Sequence, residues 1–480
     1  MVAQQLEHAD IQGLVVSGYG HLKFGSYIFI TFNDAHKGKS WLKSFIPNIA
    51  TAEKWDKDED GNTQYPPTAM NIAFSYTGLR TLVGFETTIE PLPYPFMEGI
   101  TEEQRADKVL GDTGVSDPKN WEIGALDRAN DVTPNDMHAI IVLLTETAEL
   151  RESEREALKT QFAEHDISIY AEQDAAKLYA DKEHFGFMDG VSQPQLEGSH
   201  RKARNDDPPI RAGEFVLGYT DEYGQYPESP ALAGNAVFGK NGTYLVFRKL
   251  SQNVAAFWSY MAETAEKYDD TLHAESESLQ DRMTWLASKC VGRWPSGNPL
   301  TMAPEKDDPS IKRKDINKFL FAARDPHGIK CPIGSHMRRM NPRDSQEPDA
   351  TESLKMSNRH MIIRRGMPYG EPLFDLSGAF PSGKVDDDGV DRGLVFLCLN
   401  TNIERQFEFI MQTWSNNTKF HALYDERDPI IGNNDNGGNH TIQATPIRKR
   451  VENMPRFVTV KGGGYFFMPG IKALNLLADQ

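Results

Sequence analysis

Short apolar runs rich in aromatic and β-branched residues recur along the chain and alternate with amphipathic stretches, and this rhythm restricts the fold more than any other feature. In the first part, Leu14-Val-Val16, Tyr27-Ile-Phe-Ile30, Met70 to Tyr76, His138 to Leu144 and Ile167 to Tyr170 read as strands. Lys37 to Ile46, Thr77 to Val83 and Ala148 to Glu164 read as helices between them. A stretch rich in Pro, Asp and Arg, Arg201 to Pro209, breaks the pattern, and a similar series follows. Its strands are Thr243 to Phe247, Met361 to Arg364, Leu394 to Leu399 and the glycine-interrupted Phe457 to Met468. Its helices are Ser251 to Lys267, Arg405 to Trp414 and a closing segment, and the first carries Val254, Phe257, Trp258 and Met261 on one face. The order lacks a regular βαβαβ alternation. The economical architecture is therefore α+β: two related domains, residues 1–205 and 206–480, each an antiparallel sheet with helices on one face. Residues 84 to 136, rich in Pro, Gly and acid, are expected to be mostly loop with a functional or wrapping role.

The charge balance narrows the function. The 480 residues include 69 acidic and 52 basic side chains, a formal net charge of -17, which argues against nucleic acid as a partner. Cys290, Cys331 and Cys398 are far apart and odd in number, so neither a disulfide framework nor a zinc-thiolate site is expected, and a reducing compartment fits best. No run approaches the roughly 18 apolar residues of a membrane span, and the N-terminus has no basic segment leading into an apolar one. The expected location is the cytoplasm, with no membrane partner.

Three segments carry unusual chemistry. His336 sits in Cys331-Pro-Ile-Gly-Ser-His336-Met-Arg338-Arg-Met-Asn-Pro-Arg343, where small residues precede the imidazole and Arg338 lies two residues on. Gly186-Phe-Met-Asp189-Gly190 sets an acid between apolar residues and glycine. Ile362-Ile-Arg364-Arg365-Gly-Met-Pro-Tyr-Gly370 ends an apolar strand in guanidinium groups. Taken singly, each has a bland alternative: a turn leading into a basic strand, an ordinary Asp-Gly turn, and a strand edge with solvated arginines.

In this order the three segments resemble the dye-decolorizing peroxidase family, with its GxxDG motif, its proximal-histidine segment and its distal-arginine segment. The likeness extends to Asp10-Ile-Gln-Gly13, to Arg392-Gly-Leu-Val-Phe396, to the helix Arg405 to Trp414 and to Gly462 through Pro469, and the long inserts resemble the larger members. The resemblance implies two ferredoxin-like domains and one non-covalent haem b per chain, bound mainly by the C-terminal domain. It makes His336 the iron ligand, Asp189 and Arg364 the distal catalytic pair, Leu394 and Phe396 the apolar roof, and Arg338 a propionate partner. Met188 would lie at the haem edge or simply pack, and Asp428 is the candidate hydrogen-bond partner of the proximal imidazole, with Asp425 and Glu426 close by.

The implied activity is oxidation of aromatic compounds and dyes by hydrogen peroxide in one-electron steps, in a chain compatible with a homo-oligomer. The alternatives are a non-catalytic haem-binding or haem-transfer protein, and release of iron from haem in the manner of a deferrochelatase. An Asp base stays ionised well below about pH 6.5, where a His base would be protonated, and the acidic protein should repel anionic dyes at neutral pH. Both effects favour an optimum between about pH 3.5 and 5.5. Where compact members carry Asp and then Asn after the distal arginine, this chain has Arg365 and Gly366, so the distal network should rest on Asp189 and Arg364 without an amide helper.

Overall fold

The structure is a computed structural model, and it describes residues 5–126, 136–201, 208–267 and 278–480. The first apolar series forms β1 (Phe24–Phe32), β2 (Thr68–Phe74), β3 (Ala139–Thr145) and β4 (Ile167–Ala176), an antiparallel sheet in the order β4-β1-β3-β2. The second forms β5 (Thr243–Gln252), β6 (Ile363–Arg364), β7 (Met367–Tyr369), β8 (Gly393–Asn400) and β9 (Val458–Met468). Its order is β9-β5-β8-β6, with β7 also paired to β8. Leaving β7 aside, each half places its fourth, first, third and second strands side by side. This is the arrangement of a βαββαβ ferredoxin-like unit, so the two halves share a fold without a visible residue repeat. The expected boundary at residues 205 and 206 lies outside the described residues.

The sheets pack face to face. Tyr27, Phe29, Ile140, Val142, Leu245, Phe247, Val395, Leu397 and Phe466 meet in one core between them. Alternate positions, among them Ile28, Ile30, Ile141, Val246 and Phe467, turn outward. There α1 (Ala35–Phe45) supplies Trp41 and Phe45, and α2 (Ala148–Glu164) supplies Leu158 and Phe162. Because both faces of β1, β2, β3 and most of β5 are buried, these strands read as continuous apolar runs rather than as alternating ones, whereas the edge strand β4 is partly exposed. The Phe29 and Phe247 rings, 4.7 Å apart, join the two sheets across this core. The sheets also meet edge to edge at the Phe74 and Phe467 pair of β2 and β9.

Two segments depart from simple periodicity. Gly13–Val15 forms a 3-10 turn instead of a strand, because the Leu14 and Val15 carbonyls accept hydrogen bonds from the Arg365 guanidinium at 2.6 and 2.9 Å. Between residues 84 and 126 the chain makes only short helical turns and a two-residue strand, and it wraps the C-terminal sheet. Trp121 and Ile123 press so close to β9 that a Cβ on Gly462 or Gly463 would meet the Ile123 carbonyl or the Trp121 ring at 2.9 Å. The glycine run 462–464 follows from that close approach.

The C-terminal half carries further helices, α3 (Val254–Lys267), α4 (Leu279–Val291) and α5 (His336–Met340). Phe257, Trp258 and Met261 of α3 pack with Leu286 and Cys290 of α4 in a core of their own. Among the described residues, no helix is long and apolar enough to cross a membrane.

Phe247 is fully buried between the sheets, on the strand that also floors the cavity described below. Phe247→Ala should cost about 3–5 kcal/mol in urea unfolding, as for other large aromatic truncations in cores. A loss under about 1 kcal/mol would show that the inter-sheet core is not the main packing element.

Candidate active site

The register of the C-terminal sheet gathers one set of side chains on its outer face. Leu394 and Phe396 alternate along β8, and Arg364 of β6 stands opposite Cys398, one step further on the same face. Across from Leu394 and Phe396, β5 presents Leu250 and Arg248, and β9 brings Val460 opposite Leu250. These residues floor a cavity of about 810 Å³. Val291, Met337, Phe407, Ile410, Met411 and Ile430 add apolar walls, and the segment from Glu183 to Gln195 closes it from the N-terminal half.

His336 opens α5 and lines the cavity. Its Nδ1 lies 2.9 Å from Oδ2 of Asp428, which is fully buried. The other carboxylate oxygen, Oδ1, accepts from the Ile430 and Ile431 amides at 2.8 and 2.9 Å. Burial pushes the Asp428 carboxyl up, but His336, the Ile431 amide and Arg339 outweigh it and hold the group below the usual carboxylate range. An ionised Asp428 only accepts, so Nδ1 donates, and in the neutral ring Nε2 is then the nitrogen with the lone pair.

Asp189 and Arg364 also line the cavity, and Arg364 Nη1 donates to Asp189 Oδ1 at 3.1 Å. Arg364 is held independently: Nη2 donates to the Ser192 carbonyl at 3.2 Å, and its backbone N–H donates to Gln193 Oε1 at 3.1 Å. Burial works to raise the Asp189 carboxyl. The Arg364 charge and the Gly190 amide, which donates to Oδ1 at 2.6 Å, win and keep it below the ordinary range. The result is a fixed carboxylate beside a fixed guanidinium.

Of the other residues marked in the sequence, Met188, Leu394 and Phe396 line the cavity, and Met188 packs its sulfur close to Gly297. Arg338 does not. On a helix, residues two apart point to nearly opposite sides, so α5 gives His336, Met337 and Met340 to the cavity and turns Arg338 and Arg339 into the core. Arg338 bonds Asp325 at 3.2 Å and the Cys331 carbonyl at 3.0 Å and stacks on Phe321, so it cannot serve as the propionate partner.

Arg293 and Arg343 line the cavity instead, both bonded to Asn317. Burial, with the nearby Arg343 charge, pushes Arg293 down to about 9. Arg343 ends the motif that contains His336, a signal that was present in the sequence. Arg293 had no local signature. Glu183 and Gln193 were likewise missed as lining residues. The charge of the site also differs from that of the whole chain: Arg248, Arg293, Lys318, Arg324, Arg343, Arg364 and Arg456 line it, against Asp112, Glu183 and Asp189. The repulsion of anions expected from the net charge is therefore reversed at the site itself.

The residues fit a haem. The walls are apolar, one imidazole offers a lone pair and is held by a buried carboxylate, and arginines stand where carboxylate side groups could be met. Comparison with known proteins agrees. Residues 10–176 match the family model described as the DyP dimeric alpha+beta barrel domain. A dye-decolorizing peroxidase from Mycena epipterygia is 29% identical over 94% of this chain and 83% of its own. A multifunctional dye peroxidase from an Amycolatopsis strain is 33% identical over 62% of this chain and 61% of its own. The solved structure of a fungal DyP-type peroxidase from Auricularia auricula-judae aligns with a TM-score of 0.79 at 26% identity, covering 99% of this chain and all of that one. With the strand order, the cavity and the His336 donor set pointing the same way, the chain is similar over nearly its whole length to dye-decolorizing peroxidases and carries their DyP barrel domain at residues 10–176.

Proposed function

We propose that this peroxidase uses hydrogen peroxide to oxidise aromatic compounds and dyes by one-electron steps, and that His336 would hold the iron of a non-covalent haem b. The observation that carries the reading is that two separately anchored pairs, His336 with Asp428 and Asp189 with Arg364, line or back the same apolar cavity. A bound haem would supply the iron that receives oxygen from peroxide and stores two oxidising equivalents. The Asp428 carboxylate orients the His336 ring and raises its basicity as a ligand. Asp189 takes a proton from the peroxide and returns it to the departing oxygen, acting as base and then acid. Arg364 stabilises the negative charge that grows on the departing oxygen, a role worth a few kcal/mol. Leu394 and Phe396 exclude water and admit only small molecules to this end of the cavity. Arg365 is engaged with Leu14 and Val15, so no side chain from the position after Arg364 joins the pair.

A protein that only carried haem, or only released its iron, would gain nothing from holding a carboxylate and a guanidinium in register, and peroxide chemistry does. One of the related solved structures is a dye-decolorizing peroxidase in complex with 2,6-dimethoxyphenol, which supports phenolic reductants as a substrate class here. The three cysteines are buried and free, which supports a reducing, cytoplasmic setting.

Asp189→Asn and Arg364→Leu should each retain the haem spectrum and slow the reaction with peroxide by about 10²–10⁴-fold in rapid mixing. Full speed in both variants would remove these residues from the mechanism. The direction of the Asp189 shift also fixes a pH limb. Because the carboxyl is held low, the base persists as pH falls, and the rate should decline only below about pH 4. A decline centred near about pH 6.5 would point to a histidine base instead.

A further inference from the structure

Asp189 is presented by a small hairpin whose interior is a second carboxylate. The Asp189 amide donates to the Asp181 carbonyl at 2.9 Å, Lys182 and Met188 bridge, and the Glu183 amide donates to the Phe187 carbonyl at 2.9 Å. At the tip, Gly186 has φ +97°, a conformation suited to glycine. Inside the turn, the Glu183 side chain accepts from the Phe185 amide at 2.8 Å and from the Phe187 amide at 2.9 Å. It is also the hairpin's tie to β5: Gln252, the last residue of that strand, donates to Glu183 Oε2 at 2.6 Å. Glu183 and Gln252 both line the cavity, as do Phe185, Phe187 and Asp189.

We propose that Glu183 is the positioning residue of this site: its carboxyl group sets the hairpin that presents Asp189, and its protonation state adjusts how firmly Asp189 holds a proton. The inference rests on the role given to Asp189 above. It follows from the geometry, because the three donors that grip Glu183 come from the turn on one side and from the cavity floor on the other. Gln252 can answer both states of the acid. Its NH₂ donates to the carboxylate, and its Oε1, which has no hydrogen-bond partner, could accept from the protonated acid after a flip of the amide.

Burial pushes the Glu183 carboxyl up to about 7, against the pull of the Phe185 amide, Gln252 and the Phe187 amide, and the Asp189 charge adds to the rise. The other charged neighbours are turned away or paired. Lys182 donates to the Leu376 carbonyl, His184 bonds the Tyr369 carbonyl, Arg248 of β5 is paired with Asp112, and Lys249 with Glu122. Once Glu183 ionises, its negative charge makes Asp189 a weaker acid and return of the proton to the departing oxygen slower.

The test is rapid mixing of the haem-loaded protein with peroxide from about pH 4 to 9. The wild type should lose rate as pH passes about 7, and Glu183→Gln, which keeps the length of the side chain and one acceptor oxygen but cannot ionise, should show no such loss through that range. Glu183→Ala should be slowed about tenfold or more at every pH, with KM for the aromatic reductant unchanged. Should Glu183→Ala fail to take up haem, Gln252→Leu, which removes the bond between Glu183 and β5, should show the same slowing. A readout apart from activity is the urea midpoint. The folded pKa lies above the unfolded value, so Glu183 contributes stability below about pH 4.5 that is lost as pH rises through about 7. The wild-type midpoint should therefore fall relative to Glu183→Gln over that interval.

A Glu183→Gln profile superimposable on the wild type overturns the proposal, as does a wild-type rate in both Glu183→Ala and Gln252→Leu. If those variants behave like wild type while Asp189→Asn is slow, this inference alone fails. If Asp189→Asn is fast, the Asp189 role fails and the inference falls with it.

Discussion

The hydrogen bond from His336 to Asp428 is the constraint on which the rest of the site depends. A buried carboxylate with both oxygens committed, one to the imidazole and one to two backbone amides, leaves the ring a single orientation and a single tautomer. The cost of burying that charge is offset by its donors, and losing any of them would leave an uncompensated ion in the core. The free ring nitrogen can then act only toward the cavity. Everything proposed for the acid and guanidinium acquires chemical meaning only if His336 can hold the haem iron.

The fold brings the second pair to the same cavity by register rather than by sequence proximity. Arg364 comes from an edge strand two residues long, Phe396 and Leu394 from the strand beside it, and Asp189 from a hairpin that precedes the whole C-terminal half. Slipping β8 by one residue would turn Leu394 and Phe396 into the inter-sheet core and break the floor. The cavity also reverses the sign of the protein's overall charge. An acidic molecule thus keeps a locally basic site, which suits the carboxylates of a porphyrin and does not repel an anionic aromatic substrate.

Much of the fold was legible in the sequence because both faces of the central strands are buried, and their apolar runs stand out from the helices. The short β7 and the 3-10 turn at Gly13–Val15 were harder. One gains its strand character only by pairing with β8, and the other is decided by the Arg365 guanidinium more than 350 residues away. Among site residues, motif order pointed to His336, Asp189 and Arg364, which line one cavity, and of the acids considered beside His336 it is Asp428 that bonds its ring. It misled at Arg338, because a sequence motif does not reveal that His336 and Arg338 share a helix and so face opposite ways. Glu183, Arg293 and Gln193 were silent for a different reason: their importance lies in which backbone amides, carbonyls and side chains converge on them, and that is a property of the folded chain.

The proposal stands or falls on His336, held by Asp428, as the residue that would bind the haem iron. Resonance Raman spectroscopy of the reduced haem-loaded protein reports the iron–imidazole stretch directly. The account predicts a band at high frequency in the wild type, a band moved to lower frequency in Asp428→Asn as the ring loses its anionic partner, and no such band in His336→Ala. An unchanged iron–imidazole band in His336→Ala would contradict it.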